Sequence, residues 1–434
     1  MSALFLLVVL FACLVIGVPV AIALGLASIT TVMLFADQSL VALAQRFFSA
    51  MQVYPLLAIP FFILAGTFMT TGGVAKRMIA FANALVGHFR GGLAMAALLA
   101  SAFFAAVSGS SPATVVAVGS IMIAGMVRSG YSRKFAAGLI CNAGTLGILI
   151  PPSIVLVIYG AVTETSIADL FMAGILPGML LTVALMVTVA VIARRQDLPR
   201  QPRADFKTLL RSAREAFWGL LLIVIILGGI YLGVFTPTEA AAVAAVYAFV
   251  IAVFVYRDIR LPDVRGVLTE SAKITTMLMF IIANAYLFGF VLTTEQIPQM
   301  ASEWIAGLGL PPWGFLLALN LLLLMAGNFM EPTSVILILA PITFPIAMEL
   351  GINPVHLGII MTVNMEIGLI TPPVGLNLFV TSGIADMSMG EVIRAALPWL
   401  MVLLSVLMII SYVPALSLVL PDWLGSAAAA STTN

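Results

Sequence analysis

The sequence predicts an all-α integral membrane protein that is built as an inverted repeat, with two re-entrant helical hairpins and two discontinuous helices. Of its 434 residues, 62% are hydrophobic and only 9% are charged, and the mean hydropathy is +1.20. A polar segment divides the chain into two apolar halves, and both halves carry one pattern of asparagine, glycine and proline. Soluble domains do not have this composition, so most of the chain is expected to lie in a bilayer.

The composition and the first residues narrow the class of protein further. The formal net charge is +1, so no nucleic-acid partner is indicated. Residues 1–35 begin without charge and continue into a second apolar stretch, which indicates a mature membrane helix rather than a cleaved signal. Cys13 and Cys141 lie in apolar segments and indicate neither a disulfide framework nor a metal site. The sequence has no phosphate-binding GxxxxGK motif and indicates no cofactor.

One polar segment sets the domain boundaries. Residues 194–214 hold seven basic residues and two prolines, and they are expected to form a cytoplasmic connector. We therefore assign residues 1–193 to a first repeat and residues 215–420 to a second repeat. Residues 421–434 are expected to form a C-terminal tail.

The two halves carry the same motif at corresponding positions. Cys141–Pro152 contains Asn, Gly and Pro-Pro in that order, and so does Val363–Pro373. Upstream of them, Ser108–Thr114 and Asn328–Ser334 are polar clusters around one proline. That proline lies 39 residues before the Pro-Pro pair in the first half and 40 in the second. Collinear matches of this kind indicate an internal repeat, which is common in transporters, rather than chance recurrence of glycine and proline.

Segment lengths separate hairpins from full spans. Residues 93–127 and 313–350 each consist of two apolar arms of 14 to 16 residues around a polar cluster, and such arms are too short to cross a bilayer. We expect both segments to be helical hairpins that enter and leave on one side. The helices that follow, at residues 135–162 and 356–385, are interrupted by Pro-Pro, which removes two backbone donors. Both are therefore expected to be discontinuous.

The count of spans and the placement of charge predict the orientation. With each hairpin counted as no crossing, each half has five spans, so the second half is inverted relative to the first. If the N-terminus lies outside, 18 of the 19 basic residues fall in cytoplasmic loops, and only Arg46 does not. Both termini are then outside, the first hairpin opens to the cytoplasm and the second opens to the exterior.

The helix breaks also predict binding chemistry. Where a helix is interrupted inside a bilayer, free carbonyl groups can bind a cation and free N–H groups can bind an anion. The polar groups near the breaks are mainly hydroxyls and amides without Arg or Lys, so an anionic substrate is expected to be coupled to a cation. The candidate substrate-binding residues are Ser110, Ser111, Thr114, Asn142, Thr145, Asn328, Glu331, Thr333, Ser334 and Asn364.

Two acids and two histidines leave alternatives open. Glu331 and Glu366 lie where a charge costs roughly 2.5 to 3.5 kcal/mol to insert. Each can be protonated, paired or part of an ion site, and a functional role is favoured for Glu331 over capping. For Glu366, helix-tip capping or a hydrogen bond within the bundle is favoured over a functional role. His88 and His356 are far apart in sequence and are expected to have ordinary interface roles.

Five segments of the chain carry a resemblance to a known family. These segments, SGSSPAT, NAGTLGILIPPS, GVFTPTEAAAVAA, GNFMEPTSVILILAPITFP and NMEIGLITPPVGLNLFV, resemble the large membrane subunit of the tripartite ATP-independent periplasmic (TRAP) transporters, of DctM type. The similarity spans essentially the whole chain. It implies an elevator-type secondary transporter of the bacterial inner membrane, driven by sodium. It also implies two partners, a small four-helix membrane subunit and a periplasmic binding protein that delivers a small organic acid.

The resemblance also implies site residues and a substrate class. In this family, sodium lies at the junctions of hairpins and broken helices, largely on backbone carbonyls. The GNFMEPTS, NMEIG and PPVGLNLFV segments most resemble members that are assigned to C4-dicarboxylates. Carried over by motif, the first sodium site would involve Ser108, Gly147, Ile150 and Pro151, and the second Gly327, Gly368, Thr371 and Val374.

The mechanism and its competitors follow from the same plan. The two hairpins and two broken helices are expected to move as one body, against a static scaffold formed by the remaining helices, including Trp218–Gly233 and Ala240–Tyr256. The main alternative is a stand-alone sodium/carboxylate symporter of the same architecture. An intramembrane enzyme is disfavoured because neither histidine lies near a broken helix tip and the two intramembrane acids lack a nucleophile motif.

Overall fold

The protein is helical throughout the part of the chain that the structure describes. This computed structural model describes residues 2–35, 40–196, 198–307 and 309–431, and no strand occurs within these ranges. Eight of the described helical segments are at least 18 residues long and apolar enough to cross a membrane by length and composition. The predicted all-α membrane fold is confirmed.

The described residues of the first repeat form ten α-helices. A 3₁₀ turn at Tyr54–Leu57 leads into the fourth helix, and another at Gly144–Ile148 continues the eighth. The helices are α1 (Ser2–Val15), α2 (Val20–Phe35), α3 (Leu40–Ala50), α4 (Ala58–Thr71), α5 (Val74–Val86), α6 (Gly92–Ser108), α7 (Ser111–Arg128), α8 (Arg133–Ala143), α9 (Ile154–Thr163) and α10 (Ile167–Arg195).

The second repeat follows the same order after the connector. Its second helix continues as a π-helix at Ile251–Val255. The helices are α11 (Phe206–Tyr231), α12 (Pro237–Val250), α13 (Val264–Thr294), α14 (Ile297–Gly307), α15 (Pro312–Gly327), α16 (Pro332–Glu349), α17 (Pro354–Gly368), α18 (Leu376–Ala385), α19 (Met389–Tyr412) and α20 (Ala415–Ser431).

The two repeats pack crosswise. Helix α2 of the first repeat packs on α13 of the second. Likewise, α12 of the second repeat packs on α4 of the first. The second arm of the first hairpin, α7, packs on α18, and the second arm of the second hairpin, α16, packs on α9. Each hairpin therefore rests against the broken helix of the other repeat, as expected for two halves that are related by inverted symmetry.

The hairpin arms are longer than the sequence suggested. Helices α6, α7, α15 and α16 have 17, 18, 16 and 18 residues, so the two second arms are long enough to cross a bilayer by length alone. The position of the tips, rather than the length of the arms, favours hairpins over full spans. Ser111, Thr333 and Ser334 are at most 2% exposed and lie where both hairpins meet in the interior of the protein.

The C-terminal segment differs from the expectation of a tail after residue 420. Helix α20 continues to Ser431, since the alanine-rich stretch after Trp423 has a high helix propensity. The helix packs on α10 and α17. Ser417 of α20 is fully buried, and its Oγ lies 3.2 Å from Nδ1 of His356 on α17. Ser417 precedes residue 421, so this contact belongs to the end of the assigned second repeat, and Asp422 and Trp423 beyond it are exposed.

A charged clamp joins the two repeats beside the π-helix. Nη1 of Arg77 lies 2.5 Å from Oδ2 of Asp258 and donates to the carbonyl oxygen of Gly73 at 3.0 Å. The guanidinium of Arg77 also lies 3.8 Å from the ring centroid of Tyr256. The clamp fixes the turn between α4 and α5 against the end of the π-helix.

Replacement of the clamp arginine is expected to destabilise the protein. Arg77→Ala removes the ion pair, the bond to Gly73 and the ring contact, and we expect a loss of about 1–2 kcal/mol for this partly exposed group. The measurement is the thermal unfolding midpoint in detergent. Arg211→Ala is the matched control, because Arg211 forms an exposed pair with Glu215 at 3.0 Å that is worth about 0.3–0.5 kcal/mol. Equal shifts for both variants would contradict the clamp.

Candidate functional site

A central cavity lies where both hairpin tips face the scaffold. Its volume is about 790 Å³, which is within the usual range for a small-molecule site. Helices α2, α4 and α13 form one wall, and the two tips form the other. Its charged lining residues are Glu270 and Glu331, without Lys or Arg. Any anion in this cavity must therefore be held by neutral donors and added cations.

The first tip has an open helix N-terminus. Gly109 has φ +59°, which ends α6, and Ser110 is extended at the N-cap of α7 without donating or accepting a capping bond through its side chain. Oγ of Ser108 lies 3.0 Å from Oγ1 of Thr114, which donates to the carbonyl oxygen of Ser110 at 2.9 Å. The side chains thus brace the turn and leave the first backbone N–H groups of α7 uncapped, which suits a carboxylate.

The second tip caps its own helix. Glu331 is the N-cap of α16, and its Oε2 accepts from the backbone N–H of Ser334 at 3.3 Å and from the Ser334 hydroxyl at 3.4 Å. A carboxylate of the protein therefore occupies the anion-binding position that is open at the first tip. The two tips correspond in sequence, but their binding chemistry differs.

The first Pro-Pro pair exposes carbonyl oxygens. In a continuous α-helix, the carbonyls of Gly147 and Ile148 would bond to the N–H groups of residues 151 and 152. Pro151 and Pro152 have no N–H group. The Ser153 hydroxyl donates to the Ile148 carbonyl as a replacement. Pro151 offers neither an N–H group nor a hydroxyl to the Gly147 carbonyl.

The second Pro-Pro pair differs, because backbone N–H groups bond to both of the corresponding carbonyls. The corresponding carbonyls belong to Gly368 and Leu369. The N–H of Thr371 donates to the Gly368 carbonyl at 3.2 Å, and the N–H of Asn377 donates to the Leu369 carbonyl at 3.0 Å. The Thr371 hydroxyl donates to the Ile367 carbonyl at 2.7 Å. Backbone and hydroxyl oxygens concentrate at both breaks, and such hard oxygens suit Na⁺.

Each break touches the tip of its own hairpin through a glycine. A Cβ atom on Gly147 would lie 2.5 Å from the carbonyl oxygen of Ser110, and one on Gly368 would lie 2.7 Å from Cα of Gly327. The N–H of Val374 also donates to the carbonyl oxygen of Asn328 at 3.2 Å. The structure thus places Gly147 beside the first tip, and Gly368 and Val374 beside the second. In the first repeat, Ile150 also reaches α10, next to Gly178.

Five of the ten substrate candidates line the cavity. They are Ser110, Ser111, Glu331, Thr333 and Ser334, and the sodium candidate Ser108 lines it as well. The other five, Thr114, Asn142, Thr145, Asn328 and Asn364, lie outside the lining.

The buried asparagines that precede the two Pro-Pro pairs use their donors within the protein. Nδ2 of Asn142 donates to the Gly138 carbonyl at 2.8 Å, and Nδ2 of Asn364 donates to the Ile360 carbonyl at 2.8 Å. Glu366 is 1% exposed and also lies outside the cavity lining. Both of its carboxyl oxygens are buried, and neither has a hydrogen-bond partner among the described residues. The favoured hydrogen bond of Glu366 within the bundle is therefore not found there.

Several lining residues were not predicted. Thr67, Thr70, Thr71 and Glu270 come from the scaffold. Asn377 lies behind the first tip, where its Nδ2 donates to Oγ of Ser111 at 2.7 Å and so ties the second broken helix to the first hairpin. An asparagine four residues after a Pro-Pro pair in an apolar segment was the available signal for this contact.

A buried polar network supports the second break. Nδ2 of Asn364 donates to Oδ1 of Asn320 at 2.7 Å, and Nδ2 of Asn320 donates to Oγ of Ser411 at 3.0 Å. The Ser411 carbonyl lies 3.3 Å from Nε2 of His356, so that nitrogen carries the proton. The expectation of an ordinary structural role for His356 agrees with these contacts.

This network predicts a signature of coupling between two asparagines. Asn320→Leu or Asn364→Leu alone removes the bond between the two amides and leaves one buried polar atom of the partner unpaired, and we expect each to cost about 1–3 kcal/mol. The double variant removes both polar groups, so its cost should be clearly smaller than the sum of the two single costs. Thermal midpoints of the four proteins measure this, and strict additivity would contradict the contact.

The fold and the site define a class of protein, namely a membrane transporter with paired helix breaks around a central cavity. The family profile for the tripartite ATP-independent periplasmic transporter, DctM component, matches residues 7–416. The chain belongs to this family.

Individual relatives agree with this assignment. The chain is 66% identical over 402 residues to the C4-dicarboxylate TRAP transporter large permease protein DctM of Pseudomonas aeruginosa, covering 93% of this chain and 94% of the relative. It is 42% identical to the isethionate TRAP transporter permease protein DctMQ of Oleidesulfovibrio alaskensis, covering 93% of this chain and 64% of that protein. The solved YdaH transporter of Alcanivorax borkumensis has a similar fold, with a TM-score of 0.61 at 16% identity over 89% of this chain and 88% of that protein.

Proposed function

We propose that this large permease subunit imports a small organic acid of the C4-dicarboxylate class across the bacterial inner membrane, coupled to sodium. The observation that carries the proposal is the cavity between the two tips. It offers hydroxyl groups and one uncapped helix N-terminus to a carboxylate but no basic side chain. Relatives with the C4-dicarboxylate name are 66% and 57% identical to this chain.

Charge compensation supports sodium coupling. A dianionic acid would join the carboxyl groups of Glu270 and Glu331 in one cavity, and uncompensated charge in a membrane interior is costly. We propose that oxygens at the breaks hold Na⁺, which would supply positive charge on binding. In the first repeat these oxygens belong to Ser108, Gly147, Ile150 and Pro151. In the second repeat they belong to Gly327, Gly368, Thr371 and Val374.

The packing supports a moving body that is larger than expected from the sequence. Helix α10 packs on α6 and α17, and α19 packs on α8 and α17. Because α8 and α17 belong to the broken helices, we place both α10 and α19 in the moving body. The scaffold consists of α2, α4, α11, α12 and α13, and the cavity lies at the boundary between the two bodies. Displacement of the body would carry the cavity from one side to the other.

The proposed assembly contains two partners and has both termini in the periplasm. A periplasmic binding protein delivers the acid, and a small four-helix membrane subunit accompanies the permease. The name of the DctMQ relative, which is longer than this chain, is consistent with a fused small subunit. The placement of 18 of the 19 basic residues on one side supports the orientation.

Uptake of radiolabelled succinate into proteoliposomes tests the proposal. The vesicles contain this chain with its small subunit, and the binding protein and an inward sodium gradient are each present or omitted. We expect uptake only when all components are present. Uptake by this chain alone would indicate a stand-alone symporter, and failure of succinate under every condition would remove the substrate class.

A further inference from the structure

Part of the connector between the repeats is docked in a fixed position. The carbonyl oxygen of Pro199 accepts from the N–H of Gly91 at 3.3 Å and from the Tyr131 hydroxyl at 3.1 Å. Nδ2 of Asn83 donates to Oε1 of Gln201 at 2.8 Å. Gly91 and Tyr131 belong to the two ends of the first hairpin, so the connector forms a strap across its base.

The strap presents basic side chains outward. All seven basic residues of the connector are exposed. The described acids in and beside the segment are Asp205, which accepts from the N–H of Phe206 at 2.8 Å, and Glu215, which pairs with Arg211. Positive charge therefore predominates on this surface. The seven residues are Arg194, Arg195, Arg200, Arg203, Lys207, Arg211 and Arg214.

Large apolar side chains lie among these bases where α11 begins. Phe206 is 73% exposed and is followed directly by Lys207. Leu210 is 61% exposed and is followed directly by Arg211. Helix α11 then continues into an apolar span. Exposed apolar groups beside long basic side chains suit the boundary between hydrocarbon and headgroups, where the charged ends extend toward phosphate.

We propose that the connector is a binding surface for anionic phospholipid headgroups of the adjacent leaflet, with Arg200 and Arg203 positioned by the docked strap. Clusters of four to eight basic residues next to a membrane helix attract anionic lipid, with a contribution of roughly fivefold in affinity per residue. Arg200 lies between Pro199 and Gln201, both of which are held by hydrogen bonds. The surface is therefore organised before lipid binds.

Lipid binding to the purified chain in detergent tests this inference without any transport measurement. The probes are mixed micelles that contain phosphatidylglycerol or phosphatidylcholine. The connector triple variant combines Arg200→Gln, Arg203→Gln and Lys207→Gln. It should weaken phosphatidylglycerol binding by roughly 100-fold. The matched control combines Arg260→Gln, Arg265→Gln and Lys273→Gln, which removes three other exposed bases and should change binding little.

A second variant tests the strap itself. Asn83→Ala with Tyr131→Phe keeps every charge and removes two strap hydrogen bonds, and it should weaken phosphatidylglycerol binding to a value between the wild type and the triple variant. Equal loss in the connector and control triples would overturn the proposal. So would equal binding of phosphatidylcholine, or competition by inorganic phosphate or polyglutamate at concentrations similar to that of phosphatidylglycerol.

Discussion

Gly368→Ala is expected to reduce uptake at least about tenfold. The new methyl group would lie 2.7 Å from Cα and 2.8 Å from the carbonyl oxygen of Gly327, and backbone atoms cannot move aside as a flexible side chain can. Overpacking of this kind costs about 1–3 kcal/mol, and here it separates the second break from its hairpin tip. We expect sodium-driven succinate uptake to fall at least about tenfold, which corresponds to 1.4 kcal/mol.

The matched control for this substitution lies in the same broken helix. A Cβ atom on Gly383 would meet no atom within 4 Å, so Gly383→Ala should leave uptake near the wild-type level. The symmetry of the repeats extends the test, because a Cβ atom on Gly147 would lie 2.5 Å from the Ser110 carbonyl oxygen. Gly147→Ala should therefore resemble Gly368→Ala. Normal uptake by both of these variants would contradict the contact between break and tip.

Glu331→Gln is expected to reduce uptake by roughly 10- to 100-fold. The carboxylate that caps α16 is replaced by a neutral amide, and hydrogen bonds to charged groups contribute about 1.5–3 kcal/mol. An ionised Glu331 would give the cavity a negative charge that glutamine lacks, so the glutamine variant would need fewer cations to balance the acid. The sodium dependence of uptake should become less steep. The measurement is initial succinate uptake as a function of sodium concentration.

Two further variants separate charge from capping at this position. Glu331→Asp keeps the charge and a good N-cap residue, so it should retain the steep sodium dependence. Glu331→Ala removes both the charge and the cap, and it should be at least as impaired as Glu331→Gln. An unchanged sodium dependence in both neutral variants would show that Glu331 does not contribute to charge balance.

The segmentation of the chain could be predicted because its signals are local. Hairpins expected at residues 93–127 and 313–350 correspond to helices that span 92–128 and 312–349. Glycine, proline and polar clusters interrupt apolar segments wherever they occur, whatever packs nearby. The repeat was visible for the same reason, since both Pro-Pro pairs follow the same motif.

The direction in which side chains point, and the groups to which they bond, could not be predicted. Asn142 and Asn364 lie near the breaks in sequence, but their amides bond to carbonyls four residues earlier, away from the cavity lining. A sequence does not show which face of a fully buried helix points at the cavity. The contact of Asn377 with Ser111 spans 266 residues and depends on crosswise packing of the repeats. The cap formed by Glu331 likewise became clear only from the geometry of the tip.

The central claim is that the moving body, which holds the hairpins and broken helices, is displaced against the scaffold. Distances between spin labels measure this displacement most directly. In a Cys13→Ala, Cys141→Ala background, one pair of labels is placed at Phe379 of α18 and Val246 of α12, both exposed. A second pair is placed at Phe379 and Val187 of α10, within the proposed body. Addition of sodium and succinate in lipid nanodiscs should shift the first distance by about 5 Å or more and leave the second unchanged. A constant first distance after this addition, with a labelled protein that transports succinate in proteoliposomes, or equal shifts in both pairs, would contradict movement as one body.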